Sequence, residues 1–135
     1  MANNDNNFIE KYFRETADSV LNIDSAENTI VKKIITDTRL MMKEVCNAKA
    51  ITYSQLRNVY QLVKDDNMDY KKIQLARPKI AYIQARLEDK EGRKFLEMID
   101  NFIDRIDPDE TKAIQQIKNF KAFMQSIVAY HKLNS

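Results

Sequence analysis

Apolar side chains recur along this chain at steps of three and four residues, with charged side chains filling the gaps. That spacing follows the turn of an α-helix, not the alternation of a strand. Phe8, Ile9, Tyr12 and Phe13 open the pattern, which thins before Val20 and Leu21, so one helix is predicted over residues 8–21. Asp24 or Ser25 is placed to cap the next helix. Its stripe is the most regular in the chain: Ile30, Val31, Ile34, Ile35, Thr38, Met41, Met42 and Val45, with Lys32, Lys33, Asp37, Arg39, Lys43 and Glu44 largely opposite. The Met41–Met42 pair reads as core filling, with a partner groove as the other option. Thr52 and Gln55 have the spacing of a capping box, and Ile51 and Leu56 that of a hydrophobic staple, for a helix over 53–64 whose stripe is Leu56, Val59, Tyr60 and Val63.

The stretch from Gln74 to Arg86 is harder to read. Pro78 lies inside an otherwise helical pattern. Proline lacks an N–H and has a fixed φ, so it is easiest to place in the first turn of a helix, and it pushes the residue before it out of the α region. A short helix from Asp69 to Ala76, a corner at Arg77 and a new helix from Pro78 through Ile80, Ile83 and Leu87 are therefore predicted. A charged turn, Glu88 to Gly92, follows, either as a full break or as a loosening. Phe95, Leu96, Ile99, Phe102, Ile103 and Ile106 then form a strong stripe. Asp107 as cap, Pro108 at the first helical position and Glu110 two further on predict a last helix over 108–132, with Ile114, Ile117, Phe120, Met124, Ile127 and Val128 inward. Phe123 and Tyr130 fall outside that stripe, so this helix is either central to a bundle or partly used in an interface.

Composition narrows the class. With one Gly and two Pro in 135 residues there are too few turn-formers for many short strands, so the expected fold is all-α, a compact bundle of about five to six helices. The length suits one domain, residues 8–135, behind a polar, disordered tail at 1–7. A single cysteine, Cys46, and a single histidine, His131, exclude an internal disulfide and a structural zinc site, and a reduced, cytoplasmic setting fits. The polar N-terminus does not read as a signal peptide, and no apolar run reaches membrane-spanning length, so no membrane partner is expected.

Charge is uneven. Residues 51–94 carry 10 Lys and Arg against 6 Asp and Glu, while the segments on either side each hold one more acid than base. The excess therefore sits around the Pro78 stretch and suggests a local polyanion contact. Lys72, Lys79, Arg86 and Arg93 recur every seven residues, of which the Lys79–Arg86 pair shares one uninterrupted helix. Arg77 at a corner, with Lys79 and Arg86 leaving it, has the makings of a phosphate grip; the competing reading is a solvated basic face. No P-loop or dinucleotide fingerprint fits one glycine, His131 reads as a complement to a helix dipole, and Asp100, Asp104 and Asp107 read as a solvated face. No catalytic constellation, cofactor or metal is expected. A DNA-reading helix pair over 53–64 and 69–76 is disfavoured by its long turn and short second helix.

Three segments together resemble the small subunit of type III-A CRISPR interference complexes, the Csm family. Ile51-Thr52-Tyr53-Ser54-Gln55-Leu56-Arg57-Asn58-Val59 resembles that family's Thr-Thr-Ser-x-Leu/Ile-Arg-Asn/Lys segment. Leu75 through Arg86 resembles Leu-x-x-x-x-x-Tyr-x-Ala-Gly-Arg, with Gln84-Ala85 at the Ala-Gly position. Phe123 through Lys132 resembles a closing Tyr/Phe-Met/Phe-Glu-Ala-Leu/Ile-Val-Ala-Tyr-x-Lys, with Gln125-Ser126 for Glu-Ala. The first fifty residues offer no such match. The resemblance implies a non-catalytic all-α subunit present in several copies. Its implied partners are the other subunits of the complex, neighbouring copies of itself, and the guide and target RNA. Carried over by position, Arg57, Arg77, Lys79 and Arg86 are the candidate RNA contacts, through phosphates without base reading. Tyr53 and Tyr82 are available for stacking, though core packing is the plainer role for each. Arg57 has a competing structural role, pairing with a carboxylate on the next helix. The alternative from another class is a helical interaction module without nucleic acid, anchored by Phe123 and Tyr130.

Overall fold

The structure is a computed structural model that describes residues 7–135, so the expected tail lies outside the described residues except for Asn7. Asn7 is the cap of the first helix, its Oδ1 accepting from the Ile9 amide at 2.8 Å. Seven α-helices follow among the described residues: α1 Phe8–Tyr12, α2 Ala17–Leu21, α3 Asn28–Asn47, α4 Tyr53–Gln61, α5 Tyr70–Arg86, α6 Lys90–Asp104 and α7 Glu110–Leu133. No strand occurs among them, so the chain is all-α as expected.

The helix expected over 8–21 is two short helices. Its apolar positions fall where predicted, but the chain breaks after Tyr12, and Phe13 turns into the core. There Phe13 meets Phe102 and Phe123 edge-on, with ring centroids 5.9 and 5.6 Å away. The break lets α1 pack on α3 and α6 while α2 packs on α7. Asp24 and Ser25 do not cap α3; they lie in a 3-10 turn, Ile23–Ser25, and α3 starts from Glu27. Asp24 instead accepts from the buried Asn119 amide at 2.7 Å, and the same Nδ2 donates to the Leu21 carbonyl at 2.7 Å, tying α2 to α7.

On α3, Ile34, Thr38, Met41, Met42 and Val45 are buried; both methionines fill the core, and the Thr38 hydroxyl donates to the Ile34 carbonyl at 2.7 Å. The helix closes on Lys49, the one residue with positive φ among the described residues, at 54°. The Lys49 amide reaches the Cys46 carbonyl and the Ala50 amide the Val45 carbonyl, each at 3.0 Å, the double bond pattern of a left-handed helix stop. α4 has its capping box: Thr52 accepts from the Gln55 amide at 3.1 Å, and Gln55 accepts from the Thr52 amide at 2.9 Å.

Three further expectations are corrected. α5 runs through Pro78 without a corner at Arg77. Proline removes one bond to the Gln74 carbonyl, at a cost of about 3 kcal/mol in a helix interior. Burial of Ile73 and Ala76 before it and Ile80 after it, against α6, offsets that cost, and Pro78 itself faces solvent. Gly92 is no turn; it is buried in the first turn of α6, after the cap Asp89. A Cβ there would stand 2.1 Å from the Ala50 carbonyl oxygen, so glycine lets the α3–α4 connection lie against α6. Finally, Asp109, not Asp107, caps α7, accepting from the Thr111 and Lys112 amides at 2.9 and 3.3 Å, and Pro108 lies outside the helix. Phe123 is buried, because α7 packs on α2, α3, α4 and α5 and is covered beyond one stripe.

Candidate nucleic-acid interface

α5 spans seventeen residues with five cations, Lys71, Lys72, Arg77, Lys79 and Arg86, and no acid. Successive residues turn by about 100°, so Arg77 points some 200° away from Lys79, onto α6. Its guanidinium makes a forked pair with Asp100, Nε to Oδ1 at 2.7 Å and Nη2 to Oδ2 at 3.0 Å. Nη1 donates to Asp104 and to Gln74 Oε1, both at 3.0 Å. The hydrogen bonds it donates to Asp100 push the Arg77 guanidinium further up, against the opposing effect of burial. Asp100 is thus the acceptor of this fork and not part of a solvated face, while Asp104 accepts one bond and stays largely exposed. The Gln74 amide continues the clasp, donating to the Ile103 carbonyl at 3.2 Å.

On the outer side of α5 stand Leu75, Lys79, Tyr82 and Arg86, all exposed, at steps of four, three and four. At about 100° per residue they fit within about 60° of arc, and the two cations are separated along the axis by about 10 Å. Neither Lys79 nor Arg86 has an ion pair among the described residues. Arg86 rests over the Tyr82 ring, 5.6 Å from its centroid, and donates to its hydroxyl at 3.1 Å. Tyr82 is 65% exposed, so the core role expected for it does not hold.

Arg57 belongs to α4, apart from the α5 row. It is exposed, donates to the Tyr53 hydroxyl at 3.3 Å, and has no carboxylate partner among the described residues, so the expected carboxylate pairing is not seen. Lys132 closes over the same Tyr53 ring at 5.0 Å from its centroid, and His131 lies beside it at 5.8 Å. Lys132 joins this cluster from the other end of the chain, and only its place in the third resembling segment pointed to it.

His131 is buried rather than a solvent-facing dipole complement. With Nε2 as the protonated nitrogen it donates to the Ile51 carbonyl at 2.8 Å, fastening the end of α7 to the segment before α4. Burial pushes the nearby Cys46 thiol up. Among the described residues no group of three or more His, Cys, Asp or Glu side chains is placed to hold a metal ion. No helix among the described residues is long and apolar enough to cross a membrane.

The fold and this surface define a small all-helical protein with a row of exposed cations on one helix. The chain belongs to the Csm2 Type III-A family, which it matches over residues 28–135. It is therefore a small subunit of a type III-A CRISPR effector complex. The matched stretch begins at the first residue of α3, so α3, in which no resemblance was found by segment, is included, while α1 and α2 precede it. No curated protein and no solved structure matches the chain significantly.

Proposed function

We propose that this subunit is non-catalytic and lines the guide–target RNA of the complex by Lys– and Arg–phosphate contacts, bridging neighbouring subunits and copies of itself. One observation carries the reading: α5 has five cations and no acid, and among the described residues only Arg77 of these finds carboxylates, on α6. Lys79 and Arg86 then supply outward positive charge on a rigid helix, about two turns apart, and Arg57 adds a third contact from α4. Arg77, named with them from the sequence, serves the RNA by holding α5 in register on α6, since its donors are already engaged. Phosphate contacts of this kind hold the backbone without reading bases, which suits a subunit meeting any guide sequence.

The test is anisotropy binding of the full chain to single-stranded RNA over a salt series. Wild type should bind weakly, with log affinity falling linearly in log salt. Lys79→Ala with Arg86→Ala should flatten that slope by roughly 0.7 per lost contact on a single strand. Arg77→Ala should leave the slope unchanged while lowering stability. Equal slopes for wild type and the double variant would sink the proposal.

A further inference from the structure

Tyr82 is the most exposed large apolar side chain on α5, and its neighbour on the same seam, Leu75, is 62% exposed. The Tyr82 ring stands largely in water in the free chain, with Arg86 against it, and it sits between two cations without an acid in the helix. Tyr53 offers the useful contrast. Its ring is closed in by Arg57, Lys132 and His131, whereas Tyr82 has Arg86 against it and stays open elsewhere. Arg86 lies over one face of the ring and donates to its hydroxyl, so a base would stack on the opposite face, with the guanidinium's charge close by. A flat, apolar face bordered by phosphate-binding charge is the chemistry of an unpaired nucleotide. A helical protein partner would need acids opposite Lys79 and Arg86 and an apolar ridge for both Leu75 and Tyr82; a nucleotide strand supplies anions and planar apolar faces together.

We propose that Tyr82 is a base-stacking residue. It receives an unpaired base of single-stranded RNA, with Lys79 and Arg86 on the adjoining phosphates and Leu75 as an apolar shoulder. This rests on the phosphate-contact reading and adds to it a seat for a base left unpaired beside the guide–target pairing, still without base identity.

The chain contains no tryptophan, so Tyr82→Trp places a single reporter at the site. The full-length variant would be titrated with a single-stranded oligoadenylate, with a blunt RNA duplex and with inorganic polyphosphate. Stacking predicts quenching of the indole by the single strand alone, while polyphosphate competes for binding but leaves emission unchanged. Tyr82→Ala should weaken oligoadenylate binding about 5- to 150-fold at fixed salt, leaving the salt slope and polyphosphate affinity as in wild type. Tyr82→Phe should keep most of the affinity, because the ring remains. Circular dichroism checks that each variant is folded. If the single strand and polyphosphate act alike on the indole, or Tyr82→Ala matches wild type, stacking is wrong while the phosphate reading stands. If neither polyanion binds, both readings fall. A Tyr82→Ala variant that changes sedimentation of the free chain but not its RNA affinity would assign the seam to a protein contact and overturn stacking.

Discussion

Gly92 and Lys49 occupy two positions where the backbone sets the residue, with opposite outcomes. At Gly92 a methyl group would meet the Ala50 carbonyl oxygen at 2.1 Å, and backbone on both sides must shift to admit it. Gly92→Ala should cost at least about 2 kcal/mol in a urea melt, although alanine is ordinarily the better helix former. At Lys49 the φ of 54° carries a Cβ penalty that glycine lacks. Lys49→Gly should raise stability by up to about 1 kcal/mol, the relief being partly offset by a more flexible unfolded chain. Arg77 is set by its side-chain partners instead. It and Asp100 are each a little over a quarter exposed, at 27% and 28%, whereas Asp104 is 65% exposed. Arg77→Ala should therefore cost about 1.5–3 kcal/mol, and Asp104→Ala less than about 1 kcal/mol. A similar loss for both would mean that the Asp100 fork is not the stronger part.

At the scale of elements, α1 is held to α3 by a polar clasp. Glu44 accepts from Lys11 at 2.6 Å and from the Tyr12 hydroxyl. Burial works against its charge, but Lys11 and Tyr12 together outweigh that and hold the carboxyl below the usual range, while burial and Glu44 push the Tyr12 hydroxyl up. Because the folded value is the lower one, the unfolded chain takes up the proton first. The clasp's contribution is complete above the unfolded value near 4.3 and fades as pH falls through the folded value. Urea midpoints measured down to pH 3 should fall less steeply for Glu44→Gln than for wild type. The same helices show what sequence pattern can carry. The α3, α4 and α6 stripes were legible because each buries one face, so periodicity alone located Ile34, Leu56 and Phe95 inside. Pro78 and Gly92 were misread because their local preferences favour a start and a turn, while packing of α5 on α6 and of residue 50 on α6 decided otherwise. Lys79 and Arg86 were found as a pair by spacing. The fate of Arg77 was not, since Asp100 and Asp104 lie over twenty residues away and nothing local marks them as its partners.

At the scale of the whole molecule, charge is distributed by placement more than by amount. The chain's net charge is only +2, yet an acid-free helix gives one surface a strong local field. Such a field is felt within about a Debye length, about 8 Å at physiological salt, so contact and not long-range attraction should dominate binding. Reversing Lys79 and Arg86 to glutamate should then abolish RNA binding at low salt, whereas reversing Lys32 and Lys43 on α3 should leave it nearly unchanged. Filter binding of the two double variants at matched net charge separates local placement from overall charge.

The place of Phe13 bears on where this protein can be cut. Its ring packs edge-on against the touching pair Phe102 and Phe123, and Phe8 meets Phe95 edge-on at 6.0 Å, so α1 and its connection to α2 wall the core. Yet the family match begins only at residue 28. A boundary drawn from shared ancestry thus runs through the inside of the folded molecule. A fragment trimmed to 28–135 would keep every shared position and still bare the rings of Phe95, Phe102 and Phe123, binding a hydrophobic dye that the longer chain ignores.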